Sequence, residues 1–183
     1  MEIIPNWHPI FVHFTVALIP TSALCYLVGF HISHRKIGKE LLLVARWCLW
    51  LGAIAAIATL SAGFIAYYTV DHDSISHLAM TEHRNWAIIT FIMIICLTLW
   101  SVRAYFKKQP IRMTFILSML LTASLLMTTA WFGAEVVYRY GIGVKSLPQL
   151  NEQGHDHSRH PDKITSTKSS HTNDKDENTP HSH

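Results

Sequence analysis

ARWCLWLGAIAAIATLSAGFIAYYT, residues 45–69, decides the fold. A helix needs about 20 largely apolar residues to cross a hydrocarbon layer ~30 Å thick, and at ~1.5 Å per residue this stretch is long enough. A helix on the surface of a water-soluble bundle carries a polar stripe, and Ala53–Leu60 has none. The single cation, Arg46, lies near one end, where its aliphatic stem can carry the charge to the interface. Three further stretches read the same way: about Pro9–Phe30, Asn85–Val102 and Met113–Val137, with Phe91–Leu99 again lacking a stripe. Half of the 183 residues are hydrophobic and 15% are charged, with the charge concentrated between these spans. The expectation is an all-α, integral membrane four-helix bundle running up-down-up-down, with loops of roughly 10–15 residues.

Small residues recur at helical spacing within the second span. Gly52, Ala56, Thr59 and Gly63 share one face, and Ala55, Ala58, Ala62 and Ala66 another. Such faces let helices approach closely, here in packing within the monomer. Cys25, Cys48 and Cys96 all fall in apolar spans, form no CxxC pair and read as small buried hydrophobes. The first span is not read as a cleavable signal, because Met1–Trp7 carries Glu2 and no basic residue.

Lysine and arginine set the orientation. The first loop has Arg35, Lys36 and Lys39, and the third has Arg103, Lys107, Lys108 and Arg112. The second, Val70–His83, has neither type but carries Asp71, Asp73 and Glu82. The positive-inside rule places loops one and three in the cytoplasm and both termini outside. Trp7, Tyr67, Tyr68, Trp86 and Tyr138 then mark the outer interface, and Trp47, Trp50, Trp100 and Tyr105 the inner one. The membrane domain covers 1–148. Residues 149–183 form a second segment, rich in Ser, Thr, Asp, Lys and His, which cannot bury enough apolar surface to offset its chain entropy and is expected to be disordered.

Polar groups gather at the outer end. His13 follows Pro9 by one helical turn, ~6 Å down. Glu135 lies at a similar depth in span four, His83 opens span three, and His8 sits at the mouth of span one in WHPIFVHF, residues 7–14. His72 and His77 belong to the outer loop. Ionisable residues inside a membrane are costly and mark pairs or functional sites. Three readings stand side by side. His13 and Glu135 form a buried hydrogen-bonded pair; or His13 and His83 hold haem b from two helices; or His13, His83 and Glu135, with His8, hold Zn, Cu or Fe. His8 and His13 lie ~140° apart around a helix, so a regular helix cannot chelate one ion with both. The tail histidines His155, His157, His160, His181 and His183 form clusters suited to weak binding of Cu, Ni or Zn.

His8-Pro9-Ile10-Phe11-Val12-His13-Phe14-Thr15 resembles the HPxxVHFP signature of a bacterial family of uncharacterised four-helix membrane proteins, the domain of unknown function 2231 family. The stretch from Trp131 to Val144 is similar to that family's GGxLVYxHGxGV ending, with Ala134 in place of the second glycine and Tyr140 in place of the histidine. Thr15 stands where the family has proline, and His83 matches its histidine at the start of the third span. The resemblance covers roughly residues 6–144. It implies the fold and a bacterial inner-membrane location, and relatives fused to cytochrome c domains imply electron transfer.

The leading functional expectation is a haem- or metal-binding subunit in electron transfer, with His13 and His83 as ligands and Glu135 orienting an imidazole from behind. Its partners are membrane lipid, a periplasmic cytochrome or other redox partner, and a second copy in a homo-oligomer. The alternatives are periplasmic metal handling through the tail, and a structural subunit without a cofactor. An enzyme is disfavoured: there is no Ser/His/Asp set and no phosphate-cradling glycine loop. Nucleic-acid binding lacks a basic surface. Four spans without an evident internal repeat also make a weak transporter signature.

Overall fold

The computed structural model describes residues 7–70 and 73–143. They form four helices: α1 (His8–His31), α2 (Lys36–Thr69), α3 (Ser74–Phe106) and α4 (Met113–Tyr140). All four are long and apolar enough to cross a membrane, and the described residues contain no strand. Only helices and closed barrels satisfy every backbone polar group inside hydrocarbon, so span composition and helical structure agree. The helices alternate in direction and pack as a ring: α1 on α2, α2 on α3, α3 on α4 and α4 on α1.

The helices outrun the apolar stretches. α2 begins at Lys36 rather than near Ala45, and α3 runs from Ser74 to Phe106 rather than from 85 to 102. The connections shrink accordingly, to Ile32–Arg35, Val70–Asp73 and Lys107–Arg112. Hydropathy marks the part of a helix that meets hydrocarbon. Polar residues at its ends continue the same backbone into the interface, and only a stop signal ends it. At the start of α3 that signal is a capping box: the Ser76 amide donates to Asp73 Oδ1 at 2.8 Å and the Asp73 amide to Ser76 Oγ at 3.1 Å. Asp73→Ala is expected to cost about 1 kcal/mol and to fray the first turn of α3, measurable as faster amide exchange over residues 74–77. At the other end of the second hairpin, Gly141 takes φ 64°, the left-handed conformation that closes α4.

The core runs down the bundle axis through Ile19, Tyr26, Leu49, Ile94, Ile116 and Met119. The face carrying Gly52, Ala56, Thr59 and Gly63 turns inward onto α1: a Cβ on Gly52 would stand 2.7 Å from Ile19 Cδ1. Across the centre, the buried Tyr26 hydroxyl meets Ser101 Oγ at 3.3 Å, and Trp50 Nε1 donates to the same oxygen at 3.3 Å. The segment after residue 143, including the division near Pro148 and the tail histidines His155, His157, His160, His181 and His183, lies outside the described residues, as does His72.

Candidate functional site

His8 is the first residue of α1, after Trp7 and before Pro9, whose missing N–H costs nothing in a first turn. It does not sit at the level of the ends of α2 and α4. Its Nδ1 donates to the carbonyl oxygen of Thr59 at 2.9 Å, ten residues before the end of α2 and thus ~15 Å down that helix. A helical carbonyl already accepts from the amide four residues on, here that of Gly63. A side ring reaches its second lone pair only if the residue at that position leaves room. A Cβ on Gly63 would stand 2.9 Å from His8 Nδ1. The glycine therefore provides the berth of the imidazole.

The same device occurs a second time. His83 Nδ1 donates to the carbonyl of Thr129 at 3.0 Å. Gly133, four residues after Thr129, faces the ring, and a Cβ there would stand 2.9 Å from Cε1. Below each imidazole lies a hydroxyl pair: Thr15 with Thr59 at 2.9 Å and Thr90 with Thr129 at 2.9 Å. Thr15 thus has a partner of its own on α2.

The repetition extends through the bundle. An offset of 75 residues carries His8, Thr15, Ile19, Ser22 and Tyr26 onto His83, Thr90, Ile94, Leu97 and Ser101. An offset of 70 carries Ala45, Leu49, Gly52, Ala56, Thr59, Gly63 and Ala66 onto Phe115, Met119, Thr122, Leu126, Thr129, Gly133 and Val136. Apart from the histidines, Thr59 and the two glycines, all of these positions are buried. The two hairpins thus carry corresponding positions, with histidine, threonine and glycine recurring around the two rings.

The two imidazoles meet between the hairpins, with ring centroids 6.2 Å apart and planes at 77°. Because a carbonyl can only accept, each Nδ1 carries the proton and each Nε2 carries the lone pair. The site therefore presents two imidazoles of fixed tautomer, each held by its own hairpin.

Three sequence expectations change here. The partner of His83 across the bundle is His8, not His13. His13 lies on the exposed face of α1, where its Nδ1 bonds the Pro9 carbonyl of its own helix. The 140° between His8 and His13 puts the latter on the wrong side. Glu135 does not reach a histidine either. It is ion-paired with Arg139 at 2.7 Å, one turn along α4, beside Glu82 and Phe132. Among the described residues no group of three or more His, Cys, Asp or Glu is placed to hold a metal ion, so the set His13, His83 and Glu135 is not assembled. His77 belongs to a separate cluster: Tyr67 Oη meets its Nε2 at 3.3 Å and Thr81 Oγ1 at 3.0 Å, and Arg84 lies 4.8 Å from the Tyr67 ring centre. Gly63 and Gly133 escaped the sequence reading as site residues. Their signal was the T-x-x-x-G spacing, present in both α2 and α4.

No curated protein and no solved structure matches the chain. One family model does, over residues 5–146, under the description Predicted membrane protein (DUF2231), and it takes in all four helices and both histidine berths. The chain belongs to that family of membrane proteins.

Proposed function

We propose that this membrane protein binds haem b between its two hairpins, with His8 and His83 as the residues that would hold it, and serves electron transfer at the outer face of the bacterial inner membrane. One observation carries the reading: two tautomer-fixed imidazoles on opposite helices, 6.2 Å apart between centroids. The two rings lie side by side across the bundle, each on its own helix, as a pair of haem ligands would. The ligand count also discriminates. A structural zinc asks for four protein donors and a catalytic one for three, whereas haem brings four nitrogens of its own and asks for two.

Bound haem supplies a reversible one-electron couple. The chain's part is orientation. The Nδ1–H bonds to Thr59 and Thr129 hold each ring and raise the basicity of its Nε2. The glycines let the rings lie against α2 and α4. The positive-inside charge pattern supports an outward-facing site, within reach of a periplasmic cytochrome. The dithionite-reduced minus oxidised spectrum of protein purified from haem-replete cells tests this. A sharp α-band with a Soret shift, at one haem per chain, is expected. A flat spectrum at high purity overturns the proposal and leaves the imidazoles as interhelical staples of a structural protein.

A further inference from the structure

At the end of the bundle away from the histidines, a cavity of about 280 Å³ lies between α1, α2, α3, α4 and the α3–α4 connection. Its wall includes Tyr26, Arg46, Trp100, Ser101, Tyr105 and Arg112. Arg46 lies ten residues into α2, half-buried, with its guanidinium 4.7 Å from the centre of the Tyr105 ring. Arg112 precedes the first residue of α4. No carboxylate lines the cavity, and among the described residues neither arginine has an ion pair.

The half-buried Arg46 guanidinium, beside hydrocarbon and without a counter-charge, is unfavourable unless an anion completes it, and the exposed Arg112 lines the same cavity. Guanidinium forks match phosphate oxygens. The hydroxyls of Tyr26 and Ser101, bonded to each other at 3.3 Å, lie in the same wall and leave one hydroxyl proton to offer. The surrounding rings of Trp100 and Tyr105, with Trp47 and Trp50 nearby on α2, mark the depth at which lipid headgroups lie. Basic pockets between spans at this level hold anionic headgroups.

We propose that this cavity is a binding site for a phosphate anion, supplied by the headgroup of an anionic phospholipid in the leaflet at that end. The site is independent of the histidine pair and of any haem there. At ~1.5 Å per residue, His8 and Tyr26 are separated by ~27 Å along α1.

The test uses the full chain purified in detergent, with thermal unfolding and native mass spectrometry as readouts. Phosphatidylglycerol, phosphatidylethanolamine and inorganic phosphate are added in separate arms. Saturable, one-to-one binding and thermal protection by phosphatidylglycerol are expected, with phosphatidylethanolamine much weaker. Arg46→Gln and Arg112→Gln should each weaken it by about fivefold, as expected for one basic residue at a membrane surface, and Arg46→Lys should retain most of it. Arg112 is exposed and its side chain caps no helix, so its variant keeps the fold. Equal protection by inorganic phosphate, lost in the same variants, would assign the anion to a soluble phosphate. Binding that ignores headgroup charge, or that survives both arginine changes, would overturn the proposal.

Discussion

Gly38→Ala is expected to cost about 3 kcal/mol or more, enough to leave little folded protein after extraction into detergent. The chain reverses between α1 and α2 within Ile32–Arg35, and the start of α2 presses back against that turn. A Cβ on Gly38 would lie 2.1 Å from the Ile32 carbonyl oxygen, 2.5 Å from its carbon and 2.9 Å from the Ser33 nitrogen. All three are backbone atoms, so no rotamer change relieves the overlap. Either the turn opens or α2 moves away, and α2 cannot move freely because Gly29 meets the Gly38 carbonyl: a Cβ there would be 3.0 Å from that oxygen. Gly52→Ala provides the contrast. Its nearest neighbour is Ile19 Cδ1, the far end of a flexible side chain, so a cost near 1 kcal/mol is expected. Thermal unfolding of both variants in the same detergent decides the matter. Equal midpoints would mean that the α1–α2 turn yields as easily as a side chain.

The membrane-spanning fold was legible because hydrocarbon imposes a strong and local requirement: residues 45–69 announce a span without reference to any other part of the chain. Helix ends were less legible. Lys36 and Ser74 begin helices that hydropathy places about ten residues later, since leaving the apolar layer does not by itself end a helix; a cap such as Asp73 does. The correspondence between the two hairpins was hidden for two reasons. Equivalent positions hold different residues, such as Tyr26 and Ser101 or Ala45 and Phe115, because the two halves meet each other and fill one core from opposite sides. The offset also changes, from 75 between α1 and α3 to 70 between α2 and α4, so no single period aligns both helices. That change appears directly in the berths: His8 and Thr59 are 51 residues apart, His83 and Thr129 only 46. What survives at every equivalent place is the chemistry of the berth, His with Thr on one helix and Thr with Gly on the next.

The histidine site was half legible for a related reason. The sequence counts both His83 and His8 among the candidate ligands but pairs His83 with His13, since Pro9 marks His8 as a helix start. That inference assumes that helix starts lie at the surface. α3 starts nine residues before His83, ~13 Å above it, whereas α1 starts at His8 itself. His8 therefore belongs to the interior of the bundle although it opens a helix, and His13, deeper along the sequence, faces outward.

His8→Ala and His83→Ala should each abolish the α-band and the Soret shift, while His13→Ala leaves both in place. The comparison is informative because the fold should survive all three. His8 and His83 each bond a carbonyl of the neighbouring helix, and such an interhelical bond inside a membrane bundle is worth about 0.6 kcal/mol on average. The carbonyls of Thr59 and Thr129 lie within their helices, and the hydroxyl pairs Thr15–Thr59 and Thr90–Thr129 remain. Unfolding midpoints close to that of haem-free wild type would thus separate loss of a ligand from loss of structure. Gly63→Ala and Gly133→Ala sharpen the test. They keep both imidazoles but push a methyl group to 2.9 Å from a ring atom, so the ring must leave its berth and its Nδ1–H bond. Each should weaken haem retention rather than abolish it, and by similar amounts, because the two hairpins hold their rings in the same way. A spectrum that persists in His8→Ala would remove His8 as a ligand. A spectrum lost equally in His13→Ala would show that the exposed face of α1, not the space between the hairpins, holds the cofactor.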